Sequence, residues 1–234
     1  MNEQVHLSRQ FDAELEKLRS QLLQMGGLVE SQIANAAESY AQNDLALATL
    51  VIETDQQVNA LQKNIDSDCI HVIARRQPTA SDLRLVMSVS KIATDLERMG
   101  DEAKKIAKGV RRIHERGQRL IDADTANIKH LATVAGALLR RALDAFARLD
   151  TEQAAAVIRD DKELDHEFKS LIRQVVTYMM EDPRTITSSL DITTMARAIE
   201  RIGDHAKNLA EQVVYICEGK DIRYAKLDEA EEGA

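Results

Sequence analysis

Residues 97–108, Glu-Arg-Met-Gly-Asp-Glu-Ala-Lys-Lys-Ile-Ala-Lys, return at 200–211 as Glu-Arg-Ile-Gly-Asp-His-Ala-Lys-Asn-Leu-Ala-Glu, an offset of 103 with seven identical positions. The chain is a duplication, and its fold must be built from two copies of one unit. Around the repeat, Ile92, Leu96, Met99, Ala103, Ile106, Val110 and Ile113 are spaced 4,3,4,3,4,3, and Met195, Ile199, Ile202, Ala206, Leu209, Val213 and Ile216 match them at the same offset. That spacing is the apolar seam of a helix packed on helices. Upstream, at an offset of 106, Tyr40 aligns with Phe146, Asp44 with Asp150, Val51 with Val157, Ile52 with Ile158 and Asp55 with Asp161. One unit therefore spans roughly a hundred residues.

Two prolines, nine glycines and no tryptophan in 234 residues suit long helices and leave little material for sheets. The expected fold is all-α: two tandem, pseudo-symmetric three-helix bundles, six long helices in all. The first helix runs from about Val5 to Gln42, with Phe11, Leu15, Leu18, Leu22, Met25 and Val29 as a coiled-coil-like seam, and Gly26-Gly27 is expected to interrupt it. The second begins near Asn43-Asp44 and ends before Gln77-Pro78. Thr79-Ala-Ser-Asp82 has capping-box spacing and opens the third, which ends near Glu115. The second copy gives helices of about 122–149 and 151–181, a turn at Pro183, and a last helix opened by Ser188-Ser-Leu-Asp191. These readings set the units at 1–117 and 118–224, with Arg116 to Asp124 as linker and an acidic tail, expected to be disordered, at 225–234.

Short turns make neighbouring helices antiparallel, so residues equidistant from a turn share a height. Asn59 and Glu97 lie 19 residues either side of Pro78, and Asp55 and Asp101 lie 23 either side. Around Pro183, Asp165 and Glu200 lie 18 before and 17 after, and Asp161 and Asp204 lie 22 before and 21 after. Each unit thus gathers four oxygen-bearing side chains at one level, in pairs at i and i+4 that project from one helix face. In the seam register Glu97 and Asp101 point away from the core, which puts the acids on the surface. Such hard oxygen donors suit Mg, Mn, Ca or iron ions.

The same residues have plainer readings. Arg98, Lys104, Lys105, Arg201 and Lys207 could neutralise the acids locally, and Asp55 and Asp161 could be helix-start residues. Gly100 and Gly203, between the acids of each pair, serve either close helix approach or clearance for a cluster or partner on the acidic face, at a cost of about 1 kcal/mol against alanine. Cys69 and Cys217 lack paired spacing and read as reduced structural thiols.

Other functions fit poorly. A net charge of −8 and three phenylalanines oppose nucleic-acid binding. The basic run Lys104, Lys105, Lys108, Arg111, Arg112, Arg116 and Arg119 sits where cations favour a helix C-terminus, or else is a contact for acidic lipid or an acidic partner. Di-iron chemistry needs two Glu-x-x-His motifs with inward-facing acids, and this chain has one, Glu163 with His166. No Gly-rich phosphate loop, nucleophile elbow or paired-Cys motif is present, and His205 has no counterpart at Glu102, so an enzyme is not expected. The N-terminal residues do not read as a secretory leader and no stretch approaches about 18 apolar residues, so a soluble cytoplasmic protein is expected.

The sequence Asp-Leu-Glu-Arg-Met-Gly-Asp at 95–101 with Ala-Ile-Glu-Arg-Ile-Gly-Asp at 198–204, preceded by Arg75-Arg-Gln-Pro-Thr-Ala-Ser-Asp-Leu-Arg84 and joined in the second half by Tyr178-Met-Met-Glu-Asp182, resembles the PhoU family of phosphate-transport accessory proteins over nearly the whole chain. The resemblance implies a cytoplasmic negative regulator of the phosphate-starvation regulon and of phosphate uptake. It would act between the ATPase subunit of a phosphate ABC transporter and a membrane sensor histidine kinase, reaching the membrane only through those partners. A homodimer is expected, although the residues do not fix the oligomeric state. The resemblance also implies multinuclear divalent or iron clusters on surface Glu/Asp-x-x-x-Asp pairs, here Glu97 with Asp101, Glu200 with Asp204, and Asp161 with Asp165. The fourth pair departs from that pattern, because Asp55 is followed by Asn59, so the first unit is expected to bind metal less tightly. The alternative function is a helical structural adaptor without a metal-dependent role.

Overall fold

A computed structural model describes residues 2–117 and 122–222, with side chains from 9 to 117 and from 125 to 222. Six helices run as α1 (Asn2–Gln42), α2 (Leu45–Arg76), α3 (Ala80–Glu115), α4 (Asp122–Arg148), α5 (Thr151–Glu181) and α6 (Ile186–Glu218), with a 3-10 turn at Pro183–Thr185. The tail at 225–234 and much of the expected linker lie outside the described residues. Among those described, no helix is long and apolar enough to cross a membrane.

The seams behave as their spacing requires. All fourteen seam positions of α3 and α6 are buried, as are Leu18, Leu22, Met25 and Val29 of α1, and Tyr40 and Phe146 close the ends of α1 and α4 as equivalent plugs. The halves share one core, because α3 packs along α6 and α1 along α4. Cross-contacts Ser88–Gln212, Asp95–His205, Glu102–Arg201 and Arg112–Asp191 make α3 and α6 antiparallel, with Gly100 and Gly203 at the level where the copies cross. Within the first hairpin, Gln62–Thr94 and Asp66–Ser90 set the α2–α3 register that counting from Pro78 predicts.

Three local expectations are corrected. Helix α1 runs unbroken through Gly26-Gly27. A glycine inside a helix is a modest penalty that tertiary packing overrides, and the side chain of Leu143 on α4 lies where a Cβ on Gly26 would go. At α3, Thr79 is the N-cap but makes no side-chain capping bond, so the capping box does not form. At α6, the helix already begins at Ile186, and Asp182 caps the preceding turn by accepting from the Arg184 amide. Asp191 is instead a buried carboxylate that accepts from Arg112 Nε at 3.2 Å and Arg116 Nη1 at 2.6 Å, tying α6 to α3. The helix-start role falls to Asp44 and Asp150, whose side chains accept from Ala46 and Leu47 and from Gln153.

Candidate metal centre

Asp55 and Asp161 lie mid-helix in α2 and α5, so neither starts a helix. Nor are they on the surface: they are 2% and 3% exposed. Both stand on the edge of their helix that meets α3 or α6, and a lysine from that neighbour covers each. Lys104 Nζ reaches Asp55 Oδ2 at 2.5 Å and Asp101 at 3.8 Å, and Lys207 Nζ reaches Asp161 Oδ2 at 3.2 Å. Asp101 is half exposed, and Glu97, Asn59, Asp165 and Glu200 are partly buried, with Asp204 open to solvent.

The eight residues form two groups. In the first, Asn59 Nδ2 points at Asp55 Oδ2 from 3.4 Å, and burial followed by the charges of Asp101 and Asp55 pushes the Glu97 carboxyl above the usual range. In the second, burial and then Asp204 raise Glu200, with Asp165 adding to the shift and Arg197 opposing it. Asp204, exposed as a residue but with its carboxyl partly screened from water by the surrounding helices, is raised first by that desolvation and then by Asp161 and Asp165. Like charges held this close destabilise one another unless a cation intervenes. Here the ammonium groups of Lys104 and Lys207 are those cations, themselves raised, Lys104 chiefly by its hydrogen bond to Asp55 and Lys207 by its bond to Asp161 against the opposing effect of burial.

Among the described residues, no three His, Cys, Asp or Glu side chains converge closely enough to hold a metal ion as they stand. The donor set nevertheless fits a hard cation. Its groups are carboxylate and amide oxygens, and the buried Asp55 Oδ1 and Asn59 Oδ1 have no hydrogen-bond partner among the described residues.

Gly100 and Gly203 serve close approach. A Cβ on Gly203 would lie 2.2 Å from Leu164 Cδ2 and 3.3 Å from Asp161 Oδ1, and one on Gly100 would lie 3.2 Å from Gln32 Oε1 and 3.4 Å from Val58 Cγ1. Both glycines therefore let α2 and α5 bring their buried aspartates against the third helix of each half.

One acid of each group lines a shared surface. A polar groove of about 660 Å³ along the α3–α6 seam is lined by Asp101 and Asp204 together with Arg98, Lys105, Arg201 and His205. Glu102, buried at its floor, accepts from Lys105 at 2.7 Å and Arg201 at 3.2 Å, and His205 Nδ1 meets Asp95 at 2.8 Å. His205 is thus a strut between halves rather than a base beside Asp204. The basic run is largely absorbed in the same way, since Lys104, Lys105, Arg111, Arg112 and Arg116 all hold acidic partners. Arg119 lies outside the described residues. These cross-half pairs, and Gln32, were not singled out from sequence; the signal was the duplication itself, had the copies been taken to pack antiparallel across Gly100 and Gly203.

The PhoU domain family matches residues 22–110 and again 128–213. The chain belongs to the PhoU family. A PhoU homologue of Pseudomonas aeruginosa, described as a phosphate-specific transport system accessory protein, is 46% identical over 97% of this chain and 93% of its own length. The protein of that description from Escherichia coli K12 is 44% identical over 98% of this chain and 94% of its own. The crystal structure of PhoU from P. aeruginosa superposes with a TM-score of 0.86 at 47% identity, covering 90% of this chain and all of that one. PhoU from Streptococcus pneumoniae, titled a phosphate transport system regulatory protein, gives 0.83 at 28% identity, covering 91% and 99%. The PhoU match covers both copies of the repeat, so each half carries its acid pairs on a PhoU domain. Among these relatives' names none describes an enzyme.

Proposed function

We propose that this chain is a cytoplasmic accessory protein of a phosphate-specific transport system, which restrains phosphate uptake and represses phosphate-starvation genes when phosphate is plentiful. It acts by contact, with the ATPase subunit of the phosphate ABC transporter on one side and a sensor histidine kinase on the other, and it works as a homodimer. Its family and its relatives' names support the transport role. The single observation that carries the contact reading is the shared groove: Asp101 and Asp204, from opposite halves, line one polar surface. A cation bound by Glu97, Asp101, Asp55 and Asn59, or by Glu200, Asp204, Asp161 and Asp165, would replace the lysine ammonium and present a fixed positive centre beside that groove. Bound there, it supplies charge and geometry for docking an acidic partner surface, and no bond is made or broken.

The test is phosphate-regulated gene expression in cells where the chain is deleted, restored, or restored with Glu97, Asp101, Glu200 and Asp204 changed to alanine. Deletion is expected to release expression in high phosphate, and the quadruple variant to restore repression only in part. Repression that survives deletion would remove the regulatory assignment. Full repression by the quadruple variant would leave a helical adaptor without a metal-dependent role.

A further inference from the structure

The large apolar side chains left exposed are not scattered over the surface. Ile70, Leu83 and Met87 at the α2–α3 turn are exposed, and so are Val176, Ile186 and Leu190 at the α5–α6 turn. They are the same three positions of the repeat, at its offsets of 106 and 103. The Asp66–Ser90 bond sets Ile70 level with Met87, and Leu83 lies one helical turn from it, so the three make one patch. Single exposed apolar residues are ordinary, but a cluster present in both copies of a repeat marks a surface that something covers.

Only the first patch lies where α6 ends. Ser88 meets Gln212, Lys91 Nζ lies 5.6 Å over the Tyr215 ring, and Arg84 Nε donates to the Ile216 carbonyl at 3.4 Å. The Arg84 guanidinium then stands 3.5 Å from the place a Cβ on Gly219 would occupy, and Ile222 packs back onto the core. Residues 223–234 follow from that point as Arg-Tyr-Ala-Lys-Leu-Asp-Glu-Ala-Glu-Glu-Gly-Ala. They offer two large apolar side chains, Tyr224 and Leu227, and then the acids Asp228, Glu229, Glu231 and Glu232.

We propose that residues 223–234 cover the first patch, with Tyr224 and Leu227 on Leu83, Met87 and Ile70 and the acids beside Arg84 and Arg75. Reach permits it: the five residues from Ile222 to Leu227 span up to about 17 Å, and Met87 is less than one helical turn, about 5 Å, beyond Arg84. Charge favours it as well. Arg75, Arg84 and Lys91 stand around the patch against Asp82 and Asp66, and Asp66 is tied to Ser90. The second patch is balanced, with Arg173 against Glu181 and Arg184 held by Asp182, and it lies beyond the reach of Leu227. Leu190 sits at the far end beside Arg112, about 38 Å along α3 from Met87. Because the segment is tethered, a weak contact suffices to keep the patch covered. Two patches made equivalent by duplication thus become unequal: the chain closes the first itself and leaves the second open to another molecule. None of the acids of the metal centre takes part, so the two readings fail separately.

The experiment follows carbon-13-labelled methionine methyl groups by NMR, with Met87 reporting the first patch and Met180, exposed beside Ile186, reporting the second. The full chain is compared with a chain ending at Ile222. Shortening is expected to move the Met87 signal and leave that of Met180 in place. Asp228→Lys/Glu229→Lys/Glu231→Lys/Glu232→Lys in the full chain should move Met87 in the same direction, and so should high salt, which screens exposed charges. A Met87 signal unchanged by shortening and by the lysine substitutions would overturn the inference, as would Met87 and Met180 signals that move together. A Met87 signal that varies with protein concentration equally in both chains would assign the patch to a second copy and overturn it too.

Discussion

Beside its buried aspartate the first half places Gln32, Val58 and Asn59, whereas the second places Leu164 and Asp165 beside the equivalent aspartate, with Leu138 at the sequence position that matches Gln32. The helical frame is the same, each aspartate touches a lysine from the third helix, and each abuts a glycine on it. What differs is the chemistry around it. The second half carries one more carboxylate, and burial first and then neighbouring carboxylates raise both Glu200 and Asp204. The first half has an amide, Asn59, where the second has Asp165, and a buried Gln32 where the second has Leu138. A duplication has thus kept a scaffold while leaving carboxylates at the positions around one aspartate and amides at those around the other.

The largest asymmetry lies across the α3–α6 seam. Asp191 is buried against Arg112 and Arg116, but its counterpart in the first half is Ser88, a neutral hydroxyl that donates to Gln212 Oε1 at 3.2 Å. Charge-assisted hydrogen bonds are stronger than neutral ones, so Asp191→Ala is expected to cost about 2 kcal/mol and Ser88→Ala about 1 kcal/mol in urea unfolding. Equal costs would mean the two arginines rehydrate without penalty and the seam is more symmetric than its chemistry.

Next comes glycine packing. Gly203→Ala drives a Cβ to within 2.2 Å of the fully buried Leu164, while Gly100→Ala meets its nearest neighbour at 3.2 Å. Overpacking costs about 1–3 kcal/mol and the helix regains about 1 kcal/mol on replacing glycine by alanine. Gly203→Ala should therefore destabilise by about 1 kcal/mol and Gly100→Ala should be near neutral, measured by chemical denaturation of metal-free protein. A destabilised Gly100→Ala would show the first half to be the tighter of the two.

The smallest effect concerns charge. Glu200 has its folded-state pKa raised, first by burial and then by Asp204, so the folded protein holds that proton more firmly than the unfolded chain. Its contribution to stability is fully present below the ordinary carboxyl range and is lost as pH rises through the raised value. Glu200→Gln should thus raise the melting temperature of metal-free protein near pH 7 by about 1–2 °C, from about 0.5 kcal/mol of relieved repulsion, and the gain should vanish in acid. A gain that persisted below the carboxyl range would point to packing instead.

Much of this was legible in the residues. The 4,3 seams identify the buried faces of α1, α3 and α6 because burial is periodic, and counting from Pro78 and Pro183 pairs Asp55 with Asp101 and Asp161 with Asp204 because hairpin heights follow from helical rise. Burial of Asp55 and Asp161 was not legible, since it depends on a lysine reaching across from the next helix. The cap at Asp191 failed for a related reason: Ser188-Ser-Leu-Asp191 has the local pattern of a helix start, but a pair of half-exposed arginines from the other half took the buried carboxylate. Local patterns report what a side chain could do along its own helix, and the contacts that decide between uses come from elements a hundred residues away.

The measurement that bears most directly on the doubled acid groups is the metal content of natively purified protein, by plasma mass spectrometry, against Asp161→Ala/Asp204→Ala prepared in parallel. Metal above background in the unmutated chain, falling in the double variant, is the expected result. Indistinguishable metal content in the two proteins would contradict the account, and the acids would then be neutralised by Lys104 and Lys207 alone.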